Sequence, residues 1–141
     1  MTTVPETSIF TKIIQGEIPA DIVYEDDAVI AFLTIEPVAF GHTLIVPKVP
    51  FMNIFDGNEK IMGQMMVVAQ KIAHALVASK LAVGVNLIMN NGPEAGQVVF
   101  HAHLHVIPRK NDDQAIQIPH DKRYLDNESN EIAKRILQYV H

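Results

Sequence analysis

The stretch that most constrains this chain runs from Phe100 to Pro108 and reads Phe-His-Ala-His-Leu-His-Val-Ile-Pro. Successive side chains of a β-strand point to opposite faces, so strand geometry sets His101, His103 and His105 on one face and Phe100, Ala102, Leu104 and Val106 on the other. The pattern predicts a strand with one chemical face and one core face. Residues two apart advance by about 6.7 Å, so neighbouring imidazoles can act on one small group. A half-buried imidazole also needs partners for both of its nitrogens, which makes three of them expensive to keep without a role.

A His-x-His pair on a strand can chelate zinc. A structural zinc site wants four ligands, however, and a catalytic one wants three plus an open position. The chain has no cysteine, and no Asp or Glu lies between Gly96 and Lys110, so further ligands would have to come from remote segments.

With 141 residues the chain fits one domain, 1–141, long enough to bury a sizeable core. A formal charge of -5 gives no general attraction for a nucleic acid polymer or an anionic membrane. Any phosphate site must be local. The lack of cysteine rules out a disulfide framework. Residues 1–8 lack the pattern of a secretory signal, and no segment reads as long and apolar enough to span a bilayer, so the expected location is cytoplasmic.

Thr7 and Ser8 are candidate caps for a helix over Ile9 to Gln15 that Gly16 ends, with Ile9, Phe10, Ile13 and Ile14 as its apolar face. Asp21 to Glu25 and Val29 to Thr34 form a hairpin signal around Asp26-Asp27. A third strand is expected at Thr43 to Pro47, with His42 at its start as a structural residue holding the turn. The longest helix is expected over Asn58 to Lys80, opening on Glu59 and closing on Lys80 as the helix dipole prefers. It carries one apolar stripe at Ile61, Met65, Val68, Ile72 and Leu76, and a second at Met62, Met66, Ala69, Ala73 and Val77. Such breadth fits either deep burial or contact with a second chain. Val83 to Met89 reads as a strand and Asn90 to Pro93 as a turn. The N-H groups of the loop Glu94 to Gln97 are positioned to cradle phosphate, with Gly96 allowing close backbone approach. Asn127 to Val140 reads as a last helix with Ile132, Ile136, Leu137 and Val140 on its apolar side.

These motifs together resemble the histidine triad family. The likeness rests on His101-x-His103-x-His105, Asn90-Asn91-Gly92, Gly96-Gln97, Ile9-Phe10-x-Lys12-Ile13-Ile14 and Gly41-His42-x-Leu44-Ile45-Val46-Pro47-Lys48, and covers about residues 8–109, leaving 110–141 as a variable tail. The resemblance implies an α+β fold, an antiparallel sheet of about five strands with one long helix and short terminal helices, paired as a symmetric homodimer through the long helix and the strand after it. It implies a purine nucleotide substrate, an AMP or GMP derivative. Ile9, Phe10, Ile13, Phe32 and Ile35 would wall the base, position 34 would meet the ribose, and Asn90, Gly96, Gln97 and position 98 would surround the phosphate. His105 at the last triad position, where uridylyltransferase relatives carry Gln, favours a hydrolase.

Three departures qualify the resemblance. Thr34 stands where relatives usually have Asp, and one hydroxyl cannot accept from two ribose hydroxyls as a carboxylate can. Val98 stands where relatives often have a hydroxyl that helps the leaving group. Ser8, Thr11 and Pro50 replace two Cys and a His that, with the first triad histidine, bind zinc in some bacterial relatives, so no metal and no other cofactor is expected. The expected chemistry is cleavage of a P-N or P-O bond at the α-phosphate, as in nucleoside phosphoramidases or dinucleotide polyphosphate hydrolases. His103 would be the nucleophile, His105 a donor to the phosphate and His101 an orienting residue. The alternatives are a nucleotide-binding scaffold dimer with residual catalysis, and a metallohydrolase.

Overall fold

The computed structural model describes residues 8–114 and 116–140; the capping role expected of Thr7 falls outside them. The first helix, α1 (Ile9–Ile14), starts where the Ser8 hydroxyl accepts the Thr11 N-H at 3.1 Å, and Gly16 leaves it with a φ of 77°. The strands β1 (Ile22–Glu25) and β2 (Val29–Leu33) form the expected hairpin. Its turn is tied by the Asp26 carboxylate, which accepts the N-H groups of Ala28 and Val29 at 2.8 Å each. After β3 (Thr43–Pro47) comes α2 (Glu59–Ala78), capped by the Asn58 side chain on the Ile61 N-H. The chain continues through β4 (Gly84–Ile88), a 3-10 turn at Pro93–Ala95, β5 (Leu104–Arg109) and α3 (Glu128–Leu137).

The five strands make one antiparallel sheet in the order β1-β2-β3-β5-β4. This is the α+β arrangement expected. On one face Met65, Val68, Ala69, Ile72 and Leu76 of α2 pack over Val29, Ala31, Ile45, Ala102, Leu104 and Val106. Each such large side chain contributes about 1.5–3 kcal/mol when fully buried. On the other face Phe10 of α1 meets Ile30, Phe32, Leu44 and Val46 in a smaller cluster. The histidines belong to this second face.

Several boundaries differ from expectation. The triad strand begins only at Leu104, so Phe100 to His103 approach the sheet as an irregular segment. The inward alternation of Ala102, Leu104 and Val106 nevertheless survives. Lys80 lies past the end of α2 with a φ of 64°, and the last turn of the helix holds no basic residue. The second stripe of α2 is split: Ala69 is buried in the core, whereas Met66 and Val77 are about half exposed. Contrary to the sequence reading, α2 with its 20 residues is long and apolar enough to cross a membrane by length and composition. Its buried stripe instead covers the sheet. The apolar side expected of the last helix is not buried against the sheet: Ile132, Ile136, Leu137 and Val140 are exposed, and α3 has no buried residue.

Candidate active site

The register of the sheet assembles the site. Phe32 pairs with Leu44 and Leu44 with His105, so these three side chains form a row across β2, β3 and β5 on the face covered by α1. The His103 ring lies 5.0 Å from the His105 ring and 5.0 Å from that of Phe10, centroid to centroid.

Hydrogen-bond partners fix the proton on every ring. A carbonyl oxygen only accepts, so the His103 Nδ1, 2.9 Å from the His101 carbonyl oxygen, carries the proton. Its Nε2 then holds a free lone pair. His101 is fully buried; its Nε2 donates to the Pro47 carbonyl at 2.9 Å, and its Nδ1 accepts from the Ser8 hydroxyl at 3.1 Å. The Ser8 oxygen in turn lies 2.9 Å from the Thr11 hydroxyl. Ser8 and Thr11, two of the residues standing at the cysteine positions of zinc-binding relatives, thus form a hydroxyl chain that occupies the His101 ring nitrogen a metal would need.

At the other end of the row His42 does more than the turn-holding expected of it. This buried ring does hold its turn, accepting the Val38 N-H at Nδ1 over 3.0 Å. It also lies 2.9 Å from His105, Nε2 to Nδ1. Because the Val38 amide feeds one nitrogen of His42, the other must carry the proton and donate it to His105. The outer nitrogen of His105, Nε2, is therefore an N-H donor. No local sequence signal pairs residues 63 positions apart; only the β3–β5 register does.

Burial pushes all four imidazoles below their usual range. For His42 burial is the sole cause; for His103 the His101 carbonyl partly offsets it; for His101 the Pro47 carbonyl offsets it while His103 adds to it. His105 falls to about 4 through burial and the neighbouring His103 and His42. The cluster is neutral at pH 7.

The residues expected around a base meet in one place. Ile9, Phe10, Ile13, Phe32, Thr34 and Ile35 line a single cleft of about 290 Å³. The Thr34 hydroxyl oxygen accepts the Glu36 N-H at 3.3 Å, which leaves its own hydrogen to donate. Neither this cleft nor a second of about 340 Å³, between the Pro37 to Phe40 loop and Leu81, Pro108 and Lys110, has a histidine in its wall, but Phe10 of the first lies 5.0 Å from the His103 ring. That nearness rather than size picks the first.

The phosphate loop departs most from expectation. Gln97 is buried and its carboxamide faces the protein: Oε1 accepts from Asn53 and from the Gly92 N-H, and Nε2 donates to the Met52 and Val99 carbonyls. The N-H groups of Ala95, Gly96 and Gln97 are likewise bonded to the carbonyls of Gly92 and Pro93. A tight turn built on Gly96, at a φ of 90°, uses them up. Asn90 reaches the Gly96 carbonyl at 3.4 Å. The amides left without an acceptor among the described residues come next, at Val98 and Val99. The Val98 side chain is exposed. Gln97 and Asn53 thus brace the loop from behind.

The HIT domain model matches residues 15–112. Protein hit of Bacillus subtilis (strain 168) is 43% identical over 138 residues, which cover 93% of this chain and 95% of that protein. Adenylylsulfatase HINT3 of Arabidopsis thaliana is 38% identical over 111 residues, 79% of this chain and 56% of that protein. The crystal structure of a HIT family protein from Bacillus anthracis superposes with a TM-score of 0.86 at 41% identity, covering 99% of this chain and 100% of that one.

Proposed function

The chain belongs to the HIT domain family, and from that premise we propose that it is a nucleotide-binding hydrolase cleaving a P-N or P-O bond at the α-phosphate of a purine nucleoside 5'-phosphate derivative. The observation that carries the reading is the bond from the His103 Nδ1 to the His101 carbonyl, which leaves the Nε2 lone pair free on a ring kept neutral by burial. The base lies in the cleft of Phe10, Phe32 and Ile35, the phosphate meets the Val98 and Val99 amides, and the His105 Nε2-H donates to a phosphoryl oxygen as charge builds. His103 attacks phosphorus to give a nucleotidyl-histidine, which water hydrolyses. His101 orients His103 and touches no substrate atom.

The test is a trapped adduct. Protein mixed with adenosine phosphoramidate or a diadenosine polyphosphate and quenched in base should gain the mass of one adenylyl group on His103. His103→Ala should lose both the adduct and at least about a thousandfold of turnover, as expected when a nucleophile is removed. An active His103→Ala protein would remove the basis of the mechanism. Tight AMP binding with no turnover in the wild type would favour the scaffold reading, which the occupied Thr34 oxygen supports.

The same reading includes a symmetric homodimer. Met66, Val67 and Val77 of α2 and Leu87 of β4 are exposed apolar side chains, and Met66, Val67 and Leu87 share the wall of one shallow groove. Met66→Glu should shift the mass measured by light scattering from dimer to monomer; a wild-type monomer would remove this part of the proposal.

A further inference from the structure

We propose that Asn53 is a positioning residue for the phosphate: acting through the Gln97 carboxamide, it holds the Val98 and Val99 amides in the direction from which they meet the nucleotide, and neither side chain of the pair touches substrate. The proposal rests on the placement of the phosphate at those two amides given above and adds the device that fixes them.

Asn53 lies outside every motif of the sequence, yet it is buried together with Gln97. Two carboxamides in contact can each point either way, and their backbone partners decide. The Phe55 N-H can only donate, so the Asn53 atom it meets at 3.0 Å is the oxygen, and the Asn53 Nδ2 is the atom turned to Gln97, 3.1 Å away. The Gly92 N-H, 2.9 Å from the same Gln97 atom, likewise requires an oxygen there. That leaves the Gln97 Nε2 to donate its two hydrogens, to the Met52 carbonyl at 2.7 Å and the Val99 carbonyl at 3.1 Å. Both acceptor sites and both hydrogens of the Gln97 amide are then spent on protein.

The consequence falls on Val98 and Val99. Ahead of them the Gln97 N-H is bonded to the Gly92 carbonyl at 3.1 Å, and behind them the Val99 carbonyl is held by the Gln97 side chain. The two amides without an acceptor among the described residues lie between these two pins. The pins are anchored in turn on the loop around Asn53, where the Asp56 carboxylate accepts the Met52 and Asn53 N-H groups at 3.0 and 2.9 Å. The same loop reaches the triad segment, because the Phe51 carbonyl accepts the Ala102 N-H at 2.7 Å. One loop thus sets the phosphate amides and the histidines relative to each other, which spares the reorganisation that loose donors would need.

The test is the gain in affinity that the phosphate brings, read on the full chain as the ratio of the adenosine Kd to the AMP Kd. Asn53→Asp keeps the shape and the oxygen for Phe55 but, at pH 8 where the new carboxyl is ionised, sets an acceptor against the Gln97 oxygen. The ratio should fall about tenfold, the worth of one hydrogen bond, with adenosine affinity unchanged. Gln97→Met should lower the ratio by a similar factor, and the double variant should lose no more than Gln97→Met alone, since the two residues act as a unit. In the wild type, AMP but not adenosine should shift the Val98 and Val99 amide resonances and leave the Gln97 side-chain amide resonances in place. An Asn53→Asp protein with the wild-type ratio, equal losses for adenosine and AMP, losses that multiply in the double variant, or a Gln97 side-chain resonance moved by AMP overturns the proposal while the phosphate placement stands. A wild-type protein that binds AMP no more tightly than adenosine would sink both.

Discussion

The two ends of the histidine row use the same side chain in opposite ways. At the first end His101 is sealed: zero exposure, both nitrogens bonded, a Ser8–Thr11 hydroxyl chain on one side and the Pro47 carbonyl on the other. At the last end His105 is half-buried, with one nitrogen braced by His42 and the other left to donate outward. His103 stands between them, braced by a backbone carbonyl and open at its second nitrogen. A buried imidazole with both partners in the protein has no valence left for substrate, whereas one with a single partner has a defined proton and a defined vacancy. Sealing should therefore show in stability, and openness in rate.

The largest effect expected is at the open end. His105→Ala removes the donor to the developing phosphoryl charge and should lower kcat by about 100- to 1,000-fold, with a urea midpoint close to wild type. A variant that unfolds readily yet turns over normally would reverse the assignment of the two ends.

Next comes the sealed end. His101→Ala leaves the Pro47 carbonyl and the Ser8 hydroxyl without their partner and opens a cavity, which should cost about 2–4 kcal/mol in urea unfolding. The carbonyl that braces His103 belongs to the backbone and remains. In the surviving folded fraction, single-turnover rates should fall far less than in His105→Ala.

A smaller effect sharpens the comparison at His42. His42→Leu takes the N-H from the His105 Nδ1 and lets that ring exchange tautomers, so kcat should drop about tenfold, the worth of one hydrogen bond of about 1.4 kcal/mol. His42→Gln, which offers an amide N-H to His105, should recover part of it. Equal loss of stability and rate in both variants would make His42 a packing residue only.

The mildest response is to acid. For each of the four rings the native pKa is lowered, so above the unfolded value of about 6.5 both states are neutral and stability is flat. As pH falls below that value the unfolded chain takes up protons that the native rings refuse, and stability declines until the native groups titrate, which for His105 is at about 4. Little should change between pH 8 and 7. Thermal melts that gain stability as pH falls through that interval would show a native ring with a raised pKa instead.

Much of this was legible in the chain. The alternation at Ala102, Leu104 and Val106 gave the core face of the triad segment even though the ladder starts only at Leu104, because side-chain alternation extends along chain that is extended but unpaired. The cleft residues from Ile9 to Ile35 were readable through family likeness, since apolar stripes on a short helix and a strand look the same whether they meet a ligand or a core. What stayed hidden was set by contacts between distant segments. The His42–His105 bond requires knowing that Leu44 faces His105. The inward turn of Gln97 requires Asn53, 44 positions away, to accept the role of partner. The apolar side of α3 was visible as a pattern, but a pattern does not say whether anything covers it.

The pairing of Leu44 with His105 and of Thr43 with Val106 has one more implication. Because neighbouring positions on a strand look in opposite directions, sliding β5 by a single step along β3 would turn the His105 ring into the core beneath α2 and move Leu104 or Val106 onto the face of the site. Such a molecule could keep its sheet and its helix and still be inert. Turnover in this protein is thus a gauge of alignment between two strands, and a more demanding one than any measure of helix or sheet content.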